Sequence, residues 1–454
     1  MKNTSAYINL IGLHVFLGIL VFLIPFFSKA YFIAAVVFFL WRVVAALDEH
    51  KTKEVLMACA YFVGAEVLFR MTKGAVFYES SKYLVILFMI IGMLYKGISG
   101  KGYPYFLYLM FLIPSVFVAS TTLSFDANFR TNIAFVLSGP VCLGISALFC
   151  YNKKLTREDL LSVITYLLLP VISLTTYLFF YNPSIKEVLS GTASNFAASG
   201  GFGPNQVATA LGIGIFVATV HLFMKSPTLF MKIFNALLLA VISYRAVVTF
   251  SRGGVIAALI TIVAFLVVYY FKANRRKKSQ IAVLFLVFTM AMTVTWMVSS
   301  NQTMGLIDMR YANQDALGRE KEDITTGRGE LFMKEIEGFL SNPFLGIGSS
   351  RAKDQRLEIE GQGLTSHSEV SRTLSEHGMF GIAMLLILLL KPFDLRAENK
   401  RNIFFYAFLV FWFATINHSS MRIAAPAFIY GLALLNVTYE THSLHRKQVK
   451  KLAH

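Results

Sequence analysis

A histidine, a pair of arginines and a glycine-rich turn carry most of the chemistry open to this chain. His367 lies in a polar stretch from Thr365 to Gly381 that leads into an apolar run, Met379 to Leu390. Ser366 and Glu369, three residues apart, have the form of a capping box, which predicts a helix with His367 as its first residue. The partial positive charge of a helix N-terminus disfavours a second positive charge there. It keeps the imidazole neutral, and a neutral imidazole at a water–lipid boundary can take a proton from a hydroxyl. The competing reading is a rim histidine that only hydrogen-bonds loop backbone.

Arg245 and Arg252 are seven residues apart, about two turns of helix. One continuous helix would project both guanidiniums from the same face, Arg245 roughly 10 Å deeper than Arg252. Stacked arginines suit a phosphate-bearing ligand, because the guanidinium fork grips phosphate oxygens in pairs. Snorkelling, or pairing with Glu66, is the alternative for Arg245. Gly253 and Gly254 leave room for a ligand beside Arg252. Residues 199–206 are rich in glycine and end in Pro204, Asn205 and Gln206, which open a helix; such a stretch permits close approach to a ligand or a tight turn. Glu66 and Arg70, one turn apart, followed by Glu79 and Lys82, are read as a structural ion pair.

The elements that must position these groups are membrane helices. Of 454 residues, 56% are hydrophobic and 15% charged, with a mean hydropathy of +0.61; a soluble chain is roughly 25% charged. The apolar residues recur in blocks near the bilayer-spanning length of about 20 residues. The pattern predicts an all-α polytopic membrane protein. We place spans at 8–28, 30–47, 55–72, 82–96, 103–122, 133–151, 160–181, 205–223, 229–250, 254–271, 281–300, 372–391, 402–418 and 423–440. That makes fourteen, and twelve to fourteen is the expected range. The first is read as retained, since no small-residue cleavage site follows it. Pro114, Pro140 and Pro170 fall inside apolar blocks.

With both termini cytoplasmic, the inner segments hold 23 of the 42 basic residues and the short outer segments hold 8. This bias is the positive-inside rule, so the net charge of +17 is topological and does not point to nucleic acid. Four parts follow: N-terminal scaffold helices (1–181), central helices (182–300), one long outward loop (301–371), and C-terminal helices with a basic cytoplasmic tail (372–454). The loop has 12 acidic and 8 basic residues, so any anion site in it rests on a few placed side chains. Leu331, Phe332, Ile336, Phe339 and Leu340 recur at helical spacing, predicting an amphipathic helix on the membrane surface that Asn342 and Pro343 stop. Arg328 stands just before it. Cys59, Cys142 and Cys150 all lie in apolar blocks, with no disulfide framework, and no metal-ligand spacing is present.

In this order the pieces resemble the O-antigen ligase and polymerase family of bacterial envelope glycosyltransferases. They are Gly203–Gln206, Ser251–Gly254, Gly327-Arg-Gly-Glu-Leu-Phe332, Asn342–Gly348, and His367-Ser368 with nine residues to Gly378 and two more to Gly381. The resemblance implies a metal-independent, inverting transfer at the periplasmic face of the bacterial inner membrane, without a cofactor. The donor would be a glycan on undecaprenyl diphosphate, and the acceptor a hydroxyl of lipid A–core or of a growing glycan. Arg252 and Arg328 would meet the diphosphate as its charge grows, and His367 would be the base. Arg245, Asn205 and Gln206 would bind substrate; Glu369, Arg372 and Glu376 would orient the acceptor. A groove between helices would take the polyprenyl tail, with membrane lipids around it. Ligase is the favoured reading, then polymerase, then a protein O-oligosaccharyltransferase. A flippase or other transporter is disfavoured, since no internal repeat is found and the polar residues gather at the outer side.

Overall fold

A computed structural model describes residues 4–189, 191–321, 327–361 and 363–439. Glu322 and Asp323 of the loop, Lys2, and the basic tail with Arg446, Lys447, Lys450 and Lys451 lie outside the described residues. The chain is an all-α polytopic bundle. Its one sheet among the described residues is a parallel pair, Lys154–Thr156 with Asn436–Thr438, Leu155 opposite Val437.

Local signals fix where the helices start, at Phe129, Arg157 and Arg275 where hydropathy places 133, 160 and 281. Asn128, Thr156, Thr228 and Asn274 each accept a backbone N–H of the first turn they precede, and Pro204 opens Pro204–Met224 with its fixed φ. Lys51–Met71 packs along Arg157–Tyr181, and Pro204–Met224 runs through the centre between Leu229–Val247 and Arg252–Phe271. Phe405–Ser419 closes over Arg252–Phe271. Cys59, Cys142 and Cys150 are buried thiols without disulfides.

Nine segments among the described residues are long and apolar enough to cross a membrane, fewer than the fourteen placed from hydropathy. Ser80–Lys96, Phe405–Ser419 and Ala425–Ala433 are 17, 15 and 9 residues long, short of that length. Lys51–Met71 and Met379–Glu398 have the length but carry three or more charged residues in any such window. Apolar blocks register burial, and a helix that is apolar all round can be buried against protein as well as against lipid. Pro140 and Pro170 are helix-internal, whereas Pro114 opens a new helix, Ile113–Thr122, after a break at Phe111 and Leu112.

A second break matters more. The expected span 229–250 ends at Val247; Phe250 turns the chain at φ +58°, and Arg252 starts the next helix. Arg245 and Arg252 therefore do not share a helix face. After Gln302, short helices follow: Leu306–Tyr311, Arg328–Ser341, Arg351–Glu360 and Glu369–His377. The amphipathic expectation is met by Arg328–Ser341, whose one buried residue is Glu335, while Phe332, Met333 and Leu340 face outward.

The crossing of Pro204–Met224 with Arg252–Phe271 depends on a missing side chain. A Cβ on Gly254 would stand 2.5 Å from the Ala208 carbonyl carbon. Gly254→Val should destabilise the bundle by about 1–3 kcal/mol, the usual cost of overpacking, read as a lower Tm in detergent. Gly100→Ala, where nothing lies within 4 Å, should leave Tm unchanged.

Candidate active site

Four helix amino termini meet at one end of the bundle. Asn205 lies in the first turn of Pro204–Met224, Arg252 is the first residue of Arg252–Phe271, Arg328 is the first residue of Arg328–Ser341, and Ser368 caps Glu369–His377. All four residues, together with His367, line a single cavity of about 380 Å³. Unpaired N–H groups and aligned peptide dipoles make each such terminus electropositive. The Ser251 hydroxyl donates to Asn205 Oδ1 at 2.7 Å, fastening two of the termini together.

A third arginine, absent from the sequence-derived set, joins the cavity. Arg310, in Leu306–Tyr311, donates from Nε to the Phe250 carbonyl at 3.2 Å, and its own carbonyl accepts from Arg252 Nη1 at 3.3 Å. It thus holds the turn from which Arg252 emerges. Burial and then the charge of Arg252 lower the proton affinities of Arg310 and Arg328, although a guanidinium stays charged in protein. Three guanidiniums face one lining carboxylate among the described residues, Glu335. Like charges held this close repel, and a dianionic ligand relieves the repulsion.

Glu335 is turned to its neighbours. It accepts from the Ser371 hydroxyl at 2.6 Å and the Ser366 hydroxyl at 3.1 Å, and Arg356 stands 3.4 Å from its other oxygen. Burial raises its proton affinity. It joins the helix bearing Arg328 to the loop bearing His367. Ser366 is therefore not the cap: Ser368 is, through Ser371 N, and His367 precedes the helix. The signature His-Ser, nine residues, glycine has a plain meaning. It is a cap residue, the nine-residue helix Glu369–His377, and Gly378 at φ +58°, where a Cβ would meet Phe344 and Gly346 at 2.6–2.7 Å.

His367 is held from both sides. Arg422 Nη2 donates to the carbonyls of Thr365 and Ser366 at 3.1 and 2.9 Å, and the Ser420 N–H donates to the His367 carbonyl at 3.1 Å. Burial first, then the charges of Arg422 and Arg328, lower the imidazole pKa from 6.5 to about 4. Burial and guanidinium neighbours thus hold it neutral at pH 7. Nδ1 is buried with no hydrogen-bond partner among the described residues. His418, also missed in the sequence, packs its ring against Gly253, leaving no space there for a Cβ.

The remaining sequence-derived residues do not line this cavity. Arg245 is buried and donates to the carbonyls of Asn182 (3.4 Å) and Ala198 (3.2 Å), its guanidinium over the Phe179 ring; the helix break at Phe250 takes it out of line with Arg252. Gln206 accepts from Arg70 at 3.0 Å. Arg372 pairs with Glu369 and, at 2.8 Å, with Glu376 in a buried triad beside a separate cavity of about 40 Å³. No group of three or more metal-ligating side chains is found among the described residues.

An almost wholly apolar groove of about 510 Å³ runs between Arg252–Phe271, Met379–Glu398 and Phe405–Ser419. It shares Asn417 with the arginine cavity, so a charged head and a long apolar tail could be held at once.

Residues 236–386 match the family model for O-antigen ligase. The match spans a third of the chain and includes Arg252, Arg310, Arg328, Glu335 and His367, while Asn205 lies before it. It supports an O-antigen ligase- or polymerase-like function, with lipid-linked glycans and membrane lipids as the class of partner. No curated protein matches the chain.

The arrangement can be probed without turnover. Arg252→Gln and Arg328→Gln should each weaken inorganic pyrophosphate binding about tenfold or more by calorimetry, the loss expected for one charge-assisted contact. Arg245→Gln should leave that affinity unchanged while lowering Tm, since its donors serve two carbonyls outside the cavity.

Proposed function

We propose that the protein is a glycosyltransferase of the ligase kind, moving a glycan from undecaprenyl diphosphate to a hydroxyl of lipid A–core. The observation that carries this reading is the junction of three arginines and a neutral histidine with an apolar groove. The groove takes the polyprenyl chain, and the arginine cavity takes the diphosphate and the first sugar. In the reaction His367 accepts the proton of the acceptor hydroxyl, and the acceptor oxygen bonds to the anomeric carbon from the side opposite the diphosphate. The bond from that carbon to the diphosphate oxygen breaks, and the electron pair leaves with the phosphate. Arg252, Arg310 and Arg328 then face one more negative charge than in the ground state, which is where fixed cations accelerate a reaction. The product side holds a protonated His367 and an inverted glycosidic bond. The scheme requires no metal ion.

The topology that fits is the one the basic residues suggest: a bacterial inner membrane, both termini cytoplasmic, and the cavity toward the periplasm, where lipid-linked glycans are presented. Domain roles follow the same division, with 1–181 as scaffold and 182–300, 301–371 and 372–454 contributing site residues.

Deleting the gene should leave lipid A–core uncapped while long lipid-linked chains persist on a gel; capping by single repeats would instead mean polymerase. With purified protein and lipid-linked donor, His367→Gln should cut transfer about 10²–10⁴-fold, as loss of a general base does. Arg252→Lys should rescue poorly, since an ammonium lacks the paired donors of guanidinium. Near wild-type transfer by His367→Gln overturns the base assignment.

The pH profile follows from the lowered pKa. A base is competent when unprotonated, so with His367 near 4 in the free enzyme kcat/KM should stay level from pH 7 to about pH 5 and fall tenfold per unit below about 4. A fall in kcat/KM centred on 6.5 would mean that the imidazole of the free enzyme is not buried. Transfer should persist in excess chelator, and strict dependence on a divalent ion would count against the metal-free scheme.

A further inference from the structure

The end of the bundle opposite the arginine cavity holds a second polar cavity, of about 510 Å³. Pro204–Met224 and Arg252–Phe271 begin at the first cavity and run out at this one, His221 and Tyr269 being among its lining residues. At 1.5 Å per residue the two ends are about 30 Å apart. Among the described residues, four cations line the second cavity, Arg157, Lys225, Lys232 and Lys277, against a single carboxylate, Glu158. Glu158 pairs with Lys225 at 2.8 Å and Arg157 at 3.2 Å, so the site as a whole keeps an excess of positive charge.

Two buried nitrogens in the lining have no hydrogen-bond partner among the described residues: Arg157 Nε and His221 Nδ1. The first is a donor by chemistry. The second is an acceptor by deduction. Thr165 spends its one hydroxyl proton on the Leu161 carbonyl at 2.6 Å, so at 2.9 Å from His221 Nε2 it can only accept. Nε2 therefore carries the proton, and Nδ1 of the neutral ring offers a lone pair. The ring is 3% exposed and fixed by stacking on Tyr7, at 4.8 Å between centroids. Tyr7 in turn donates to Asn235 (2.9 Å), which donates to Ser226 (2.8 Å). A buried donor and a buried acceptor in a fixed, cationic recess ask for a ligand that offers both an anion and a hydroxyl.

We propose that this cavity binds an anionic phospholipid headgroup of the phosphatidylglycerol kind. Its phosphate sits among Arg157, Lys232 and Lys277, and its headgroup hydroxyl donates to His221 Nδ1. Position at the ends of membrane-length helices, with Leu161, Phe223 and Leu284 in the wall, favours a lipid over a free phosphate. Basic recesses between membrane helices select anionic headgroups through their charge. The site is independent of the transfer chemistry at the other end.

The test is native mass spectrometry of the full-length protein in detergent, titrated with phosphatidylglycerol, phosphatidylmethanol and phosphatidylcholine. Wild type should retain phosphatidylglycerol about tenfold better than phosphatidylcholine. Lys232→Gln with Lys277→Gln, at residues only half-buried or exposed, should remove about tenfold of that retention. His221→Phe, which keeps the stack, should abolish the preference for phosphatidylglycerol over phosphatidylmethanol, which lacks the hydroxyl. Equal retention of the anionic and zwitterionic lipids, or an unchanged double variant, overturns the site. Displacement by millimolar inorganic phosphate overturns the lipid assignment, and a wild type indifferent between the two anionic lipids overturns the hydroxyl contact.

Discussion

A guanidinium inside a membrane-length bundle must be paired, and the way Arg70 is paired decides where the loop of His367 can lie. Arg70 meets Glu66 at 2.6 Å and Glu79 at 2.9 Å, and Lys82 stands 2.8 Å from Glu79. Removing any one member would strand a buried charge, which costs far more than the intact group contributes. The spare donors of this group reach outward. Arg70 Nη1 donates to the Arg422 carbonyl at 2.8 Å, and Glu66 accepts from the Ala424 N–H at 2.6 Å. The turn 420–424 is thereby pinned to the N-terminal half, and its Arg422 side chain grips the carbonyls beside His367. The pair that reads as merely structural in the sequence is the anchor for the site.

The cavity built on that anchor is electrostatically unfavourable when empty. Three guanidiniums and four helix amino termini point at one space, while the single lining carboxylate among the described residues, Glu335, is engaged with two hydroxyls and Arg356. Such a site accepts the cost because the fold is over-determined around it. Arg310 ties down the Phe250 turn, Asn205 ties down Ser251, and Glu335 joins the Arg328 helix to the His367 loop. Arg328 belongs to both sets, lining the cavity and helping burial and Arg422 to keep the histidine neutral, so anion binding and base strength share one cation. A bound diphosphate would offset the arginines and raise the histidine's proton affinity, making it a better acceptor once the donor is in place.

How much of this was readable in the sequence depended on the range of the interaction. Signals confined to a few residues were legible: the Pro204 start, the amphipathic run at 331–340 and the Asn342 stop; the span expected at 372–391 instead breaks at Gly378, between Glu369–His377 and Met379–Glu398. Ser366 misled because Ser366 and Ser368 both stand near the helix start, and the choice between them is made by Glu335, 31 residues earlier. The supposed arginine stack failed because Phe250, a residue that rarely takes positive φ, breaks the helix between Arg245 and Arg252. Arg310 was invisible for another reason: its role lies in a contact with a backbone carbonyl 60 residues away, which no local pattern records. The fourteen apolar blocks exceed the nine segments among the described residues that are long and apolar enough to cross because three blocks form helices of 9 to 17 residues and two more carry three or more charged residues.

Charge excess at both ends of the same two helices has a mechanical consequence. Pro204–Met224 is buried over almost its whole length and locked to Arg252–Phe271 where Gly254 meets Ala208. Two helices this closely packed move as one body, since interiors at crystal-like density transmit displacement rather than absorb it. Their depth in the membrane is then set by whatever holds either end. Anions bound at the arginine cavity and at the lysine-rich recess would pull on one rigid strut about 30 Å long, close to the thickness of a bilayer's hydrocarbon core. Because Arg252–Phe271 lines both the His367 cavity and the apolar groove that opens beside it at Asn417, the two keep one relative height, and the fold itself sets the depth at which a tail can enter while its head reaches the arginines.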